Sequence, residues 1–139
     1  MAAYNKFQQF VEDLCKKVHN LDADTLKILL TNAAPVNTNA VKADLTEIGA
    51  GNGYTAGGIA LSGVDCEQTS GTIHLSASDL VMTASGGTIG PFRYAVLYND
   101  TPTSPADPLI AWYDYGSSIT LQDTDNFTFD VTVDIFTLA

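Results

Sequence analysis

His19 and His74 are the only imidazoles in the chain, and Cys15 and Cys66 the only thiols. Four such ligands without close spacing do not make a structural zinc site, which takes its ligands in closely spaced pairs. Two cysteines cannot form a disulfide framework, so both are expected as free, mostly buried thiols of a reducing compartment. Cys15 is expected on the apolar face of a helix, where a thiol behaves as a small hydrophobe and burial raises its pKa, which argues against a nucleophile. A serine hydrolase would place its nucleophile in a G-x-S-x-G elbow, and none occurs. Both imidazoles are therefore expected to be structural or solvated.

Acids are more abundant. Asp123, Asp125 and Asn126 (DTDN) set hard oxygen ligands close together, as at the start of a calcium loop. Thr128 and Asp134 stand where an EF-hand needs its glycine and closing glutamate, leaving either a site on a sandwich edge or a solvated turn. Asp107 and Asp114 could act as the paired carboxylates of a glycosidase, although only their being acids supports that. Trp112, Tyr113 and Tyr115, with Tyr94 and Tyr98, could line a sugar platform; on strands such rings are more often half core and half interface. Gly51, Gly53 and Ala56 fit G-x-G-x-x-A, but a dinucleotide fingerprint needs a helix next. Here Gly57 and Gly58 follow, then strand-forming residues, so 49–58 is expected as a tight surface loop with several positive-φ turns. No catalytic residue, no cofactor and no metal is expected.

The elements that must position these groups follow from periodicity. Residues 4–19 read as an amphipathic helix, with Phe7, Phe10, Val11, Leu14, Cys15 and Val18 on one face. Glu12 to Lys16 and Asp13 to Lys17 are favourable i,i+4 pairs on the other side. The stripe either packs on the domain's own sheet or contacts a partner subunit. Beyond it, strands are expected over 25–31, 44–48, 59–64, 72–76, 80–84, 91–98, 109–115 and 126–138, with loops at 32–43, 49–58 and 99–108. In the last strand Phe127, Phe129, Val131 and Val133 share a face until the period slips at 134–136, which suggests a bulge or turn. About eight short strands with regular turn signals indicate a mainly β chain: an antiparallel β-sandwich or jelly-roll of one domain over 1–139, with one N-terminal helix.

The 139 residues are one domain's worth of chain. Sixteen acids against six bases give a net charge of −10. That excludes a nucleic-acid binder, which needs a basic face, and docking on an anionic membrane. Hydrophobic residues at 45% exclude a disordered acidic tail. No apolar run approaches a membrane span and no signal-peptide pattern opens the chain, so synthesis in the cytoplasm without a cleaved signal is expected. The charge is lopsided. Through residue 42, five lysines meet four acids; from residue 43, twelve acids meet Arg93 alone. Either the acids simply hold an abundant protein in solution, or an acidic body prevents self-association while the N-terminal end docks.

Four segments carry a resemblance in their order and spacing: DTLKILLTNAAP at 24–35, GNGYTAGG at 51–58, TASGGTIGPFRYAVLYNDT at 83–101 and SPADPLIAWYDYGS at 104–117. Together they resemble a widespread family of small proteins encoded in the structural modules of tailed bacteriophages and prophages, over most of 4–139. The resemblance implies a virion structural component. It implies in particular a head decoration (cement) protein on the capsid exterior, made in the bacterial host cytoplasm, binding the major capsid protein as a homo-oligomer, a dimer or trimer. It carries no catalytic residue. A cement protein works by bridging capsomers and needs rigid area rather than a reactive pocket. Expected partner contacts are Phe7 and Phe10 in the N-terminal segment, Asn52 and Tyr54 in the glycine loop, Arg93, and Pro102 and Pro105 in the proline loop. The alternatives are a tail or fibre component and a host-surface glycan-binding module built on Trp112, Tyr113 and Tyr115.

Overall fold

The computed structural model of the chain describes residues 2–131 and 133–139. Its elements in order are β1 (Tyr4–Lys6), α1 (Gln8–Cys15), β2 (Leu26–Thr31), β3 (Ile59–Ala60), β4 (Asp65–Thr69), β5 (Thr72–Ser76), β6 (Leu80–Thr83), β7 (Ile89–Asn99), β8 (Leu109–Leu121), β9 (Asn126–Phe129) and β10 (Phe136–Leu138). A 3-10 turn over Lys42–Asp44 precedes β3. A five-stranded sheet, β1-β8-β7-β2-β3, forms one layer. The sheets β10-β5-β4 and β6-β9 face it. Every pairing is antiparallel. The chain is thus mainly β, an antiparallel sandwich with one helix near its N-terminus, as the alternation requires.

Period-2 side chains build the core between the layers. Leu26, Ile28 and Leu30 of β2 and Ala95 and Leu97 of β7 meet Leu75, Met82, Phe127 and Phe129 from the opposing strands. Edge-to-face rings bridge the layers: Tyr113 on Phe129 at 4.9 Å and Phe92 on Phe127 at 5.1 Å between centroids. Each fully buried side chain of this size contributes about 1.5–3 kcal/mol. The residues between them point the other way. Leu29, Val96, Tyr98 and Leu109 form a second buried cluster with Phe7 on the outer face of the same sheet. Leu97 pairs with Ala111 while Tyr98 pairs with Leu109, so Ile110 is an extra residue in β8 and turns inward beside Ala111.

Several boundaries differ from expectation. The single helix over 4–19 is instead β1 followed by α1. Tyr4 to Lys6 pair with Tyr113 to Ala111, because an exposed edge of β8 offers ladder hydrogen bonds that an isolated first turn lacks. The helix ends in a Schellman motif: Val18 N–H donates to Asp13 C=O at 2.9 Å and Lys17 N–H to Leu14 C=O at 3.4 Å, with Lys17 at φ +64°. So short a helix buries Phe10 and Asp13 and leaves Val11 and Cys15 exposed. Cys66 is half-buried, so the thiols are not the buried pair expected.

The expected strand at 44–48 is a 3-10 turn and loop, because the Asp44 carboxylate accepts the Ala40 and Val41 N–H groups. The strand at 59–64 stops at Ala60, and β4 was not anticipated. β8 runs six residues past the expected end at 115. It absorbs Gly116 (φ +87°) in a wide irregularity between the Tyr94–Asp114 and Phe92–Ile119 pairs. The strand at 126–138 is two: β9 pairs with β6, and β10 crosses to β5. Thr132, within that range, lies outside the described residues. Past Val131 the shared face is lost, and Val133 is 75% exposed.

Candidate functional site

The 32–43 and 99–108 loops meet on the outer face of the five-stranded sheet, and the Gly57 end of the glycine loop reaches them there. Leu109 N–H donates to Ala40 C=O at 3.0 Å and Lys42 N–H to Asp107 C=O at 2.9 Å, which joins the 32–43 loop to the 99–108 loop. The Lys42 ammonium then pairs with Asp107 at 3.1 Å and lies 5.3 Å from the centre of the Tyr98 ring. The Tyr98 hydroxyl donates to Gly57 C=O, which attaches the glycine loop. Glu47 accepts from Gly57 N–H at 2.6 Å and from the Tyr54 hydroxyl at 2.8 Å, and that hydroxyl accepts from Leu30 N–H at 3.0 Å. Burial pushes both phenols, Tyr54 and Tyr98, well above the ordinary tyrosine value, so they act as fixed neutral hydrogen-bonding groups. The N-terminal segment joins this side through Gln8 N–H on Asn37 C=O at 2.9 Å and through Phe7, whose ring packs tilted against Trp112 at 4.7 Å between centroids.

The individual contact residues divide. Asn52 is exposed at the tip of the glycine loop, where its amide donates to Thr88 C=O at 2.9 Å. Arg93, Pro102 and Pro105 are partly exposed. Phe7, Phe10 and Tyr54 are corrections: they are 0%, 3% and 2% exposed and belong to the core. Phe7 fills the outer cluster because the chain turns there from β1 into α1 over the sheet. Phe10 packs on His19 and Phe136. Tyr54 is drawn inward by its two hydrogen bonds. Of the four residues that organise the face, Lys42 and Glu47 were not singled out in the sequence, and Asp107 and Tyr98 were singled out only as a candidate paired carboxylate and a candidate sugar-platform ring.

The groups that suggested chemistry are engaged in holding the fold. Arg93 forks onto both Asp114 oxygens at 2.8 and 3.0 Å. That contact, with the Gly116 N–H, holds the Asp114 carboxyl below its usual range. Asp107 is committed to Lys42, so the two acids do not act as a pair. In the DTDN turn, Asp123 accepts from Gly86 N–H, Asp125 from Gln122 N–H and Asn126 from the Thr83 hydroxyl, so one oxygen of each candidate ligand holds the turn in place. His74 Nδ1 lies 2.7 Å from Asp134, and His19 Nδ1 3.1 Å from the Asn99 amide. Among the described residues neither imidazole bonds a hydroxyl. Tyr94, Tyr98 and Tyr113 are buried, Trp112 is partly covered by Phe7, and Tyr115 packs on Phe127, so the five rings do not form an exposed platform. The Gly51–Tyr54 pair closes a tight turn through Asn52 and Gly53, and β3 rather than a helix follows.

Searches of protein-family models, curated proteins and solved structures find nothing that matches the chain.

Proposed function

We propose that the chain is a structural component of a tailed-bacteriophage virion: a head decoration protein that binds the outside of the major capsid protein shell and stabilises it. One observation carries this reading. Two long loops and the Gly57 end of a third, which in a sandwich are free to be mobile, are fastened to the outer face of the five-stranded sheet by Lys42, Asp107, Glu47 and Tyr98. Loops are where binding surfaces usually sit, and fastening them lowers the entropy lost on docking. The outcome is a preorganised area with its reactive side chains occupied, which suits a protein acting through shape. A mainly β sandwich also suits the jelly-roll class that the sequence resemblance implies. The acidic composition disfavours adhesion to DNA and between particles.

The test is fractionation of particles made by the phage or prophage that encodes the chain, with heads and tails analysed separately by mass spectrometry and heads imaged by cryo-electron microscopy. The chain is expected in heads at high copy number, with density over capsomer junctions. Recovery with tails alone replaces this reading by that of a tail or fibre component. Absence from purified particles overturns both.

A further inference from the structure

Between α1 and β10 the surface is not closed. Two grooves, of about 420 and 200 Å³, run along either side of β10 and share Leu14, Phe136 and Leu138 in their walls. With Val11 on the helix and Ile73 and Cys66 across the three-stranded sheet, these residues make one apolar strip. Val11 is 45% exposed and Leu138 52%. The strip's two flanks carry opposite charge. Of the six lysines and arginines, Lys16, Lys27, Lys42 and Arg93 are ion-paired. Among the described residues Lys6 and Lys17 have no carboxylate in range, and both line the grooves, on the β1 and α1 side. On the other flank Asp22, Asp65 and Glu67 bring carboxylate oxygens within 4.8 Å of one another, all exposed, and none joins an ion pair among the described residues. Two of these acids lie on β4, the far edge of the three-stranded sheet from β10.

We infer that this α1–β10 face binds a second copy of the chain across a two-fold axis, with the lysine flank of each copy on the acidic flank of the other and the apolar strips covering one another. A two-fold contact is self-complementary only if the patch holds both halves of each pairing, and this one does. A basic peptide would neutralise the acids and leave Lys6 and Lys17 unmatched. An acidic one would do the reverse. A second copy satisfies both sets, which is the electrostatic complementarity that fixes partner and register. The inference does not depend on the capsid reading, since it concerns the face around β10 and not the loop face.

Sedimentation velocity on the full chain, from micromolar to millimolar, tests it. A reversible dimer is expected. Leu138→Asp should leave a folded monomer, with unchanged far-UV circular dichroism. Lys6→Glu/Lys17→Glu, and separately Asp22→Lys/Glu67→Lys, should each weaken self-association by about tenfold or more, and an equimolar mixture of the two should recover a heterodimer. All these positions are exposed, so folding is not at issue. A monomer at every concentration, a closed trimer, or a dimer indifferent to the three variants and to their mixing would overturn the inference.

Discussion

Protonating His19 would set an N–H against an N–H. The Asn99 amide, completely buried, donates to His19 Nδ1 at 3.1 Å and to Asp24 Oδ2 at 2.7 Å, while its oxygen accepts Thr101 N–H at 3.1 Å. His19 Nδ1 is therefore the acceptor and the ring proton sits on Nε2. Burial holds this imidazole below the ordinary histidine value, against the pull of Asp13 and Asp24. The unfolded chain takes up the proton near pH 6.5, while the folded chain resists until lower pH. Stability thus falls as pH drops through about 6.5. In His19→Gln, whose amide oxygen can still accept from Asn99, that loss should shrink. Urea midpoints at pH 7.5 and 5.5 for both proteins check this; equal pH slopes would remove His19 as the cause. The sequence allowed a structural histidine here but not its partner, because Asn99 is 80 positions away. The same limit explains Phe7, Phe10 and Tyr54. Their types suit a core or an interface equally, and only the path of the chain over the sheet decides.

At the scale of elements, two glycines with nearly the same backbone angle separate steric from conformational cost. Gly71 has φ +85° and open space around its missing Cβ. Gly58 has φ +87°, but a Cβ there would strike the Ile28 carbonyl, with its carbon at 2.7 Å, where β2 pairs with β3. Gly71→Ala should cost about 1 kcal/mol, for the left-handed backbone alone. Gly58→Ala should cost roughly 3 kcal/mol or more, since the strand must also move. Chemical denaturation of the two variants reads the difference, and equal costs would contradict the close approach. Gly71 also marks what was legible. With Ser70 at φ +53° it closes a two-residue hairpin between Thr69 and Thr72, a turn that needs a left-handed backbone at both central positions and suits glycine at the second. Thr72 to Ser76 was readable as a strand. Its partner Asp65–Thr69 was not, because DCEQT is an exposed edge without an apolar face. β2, β5, β6 and the centre of β7 were legible because a short run of apolar and β-branched residues between turn signals is a local pattern. The end of β8 was not, because Gly116-Ser-Ser reads as a stop and the strand continues only by leaving its ladder with β7 and rejoining it.

For the whole molecule, fold class followed from counting short strand-like segments between regular turn signals, whereas the order of strands in each sheet did not. β1 pairs with β8, and β10 leaves the line of β9 to pair with β5, contacts that no local pattern encodes. Charge is the global property that composition does give. Six bases can match at most six of the sixteen acids, so ten carboxylates repel across a domain with twelve of its acids after residue 42. Added salt screens this repulsion and the ion pairs alike, with a screening length of about 8 Å at physiological ionic strength. The pairs are few and partly solvated, such as Lys27–Asp100 at 2.8 Å with a quarter to a third of each side chain exposed, and pairs of that kind contribute little. Repulsion should therefore dominate the response. Thermal unfolding of the Leu138→Asp protein, chosen to remove any association, should show Tm rising with sodium chloride up to roughly 0.15 M and then flattening. At equal ionic strength magnesium and calcium chlorides should give the same rise. A falling Tm would mean that Lys27–Asp100, Lys42–Asp107 and Arg93–Asp114 outweigh the excess of acid. A rise specific to calcium would instead mean that Asp22, Asp65 and Glu67 take up the ion, and their mutual repulsion would then be relieved by binding and not by screening.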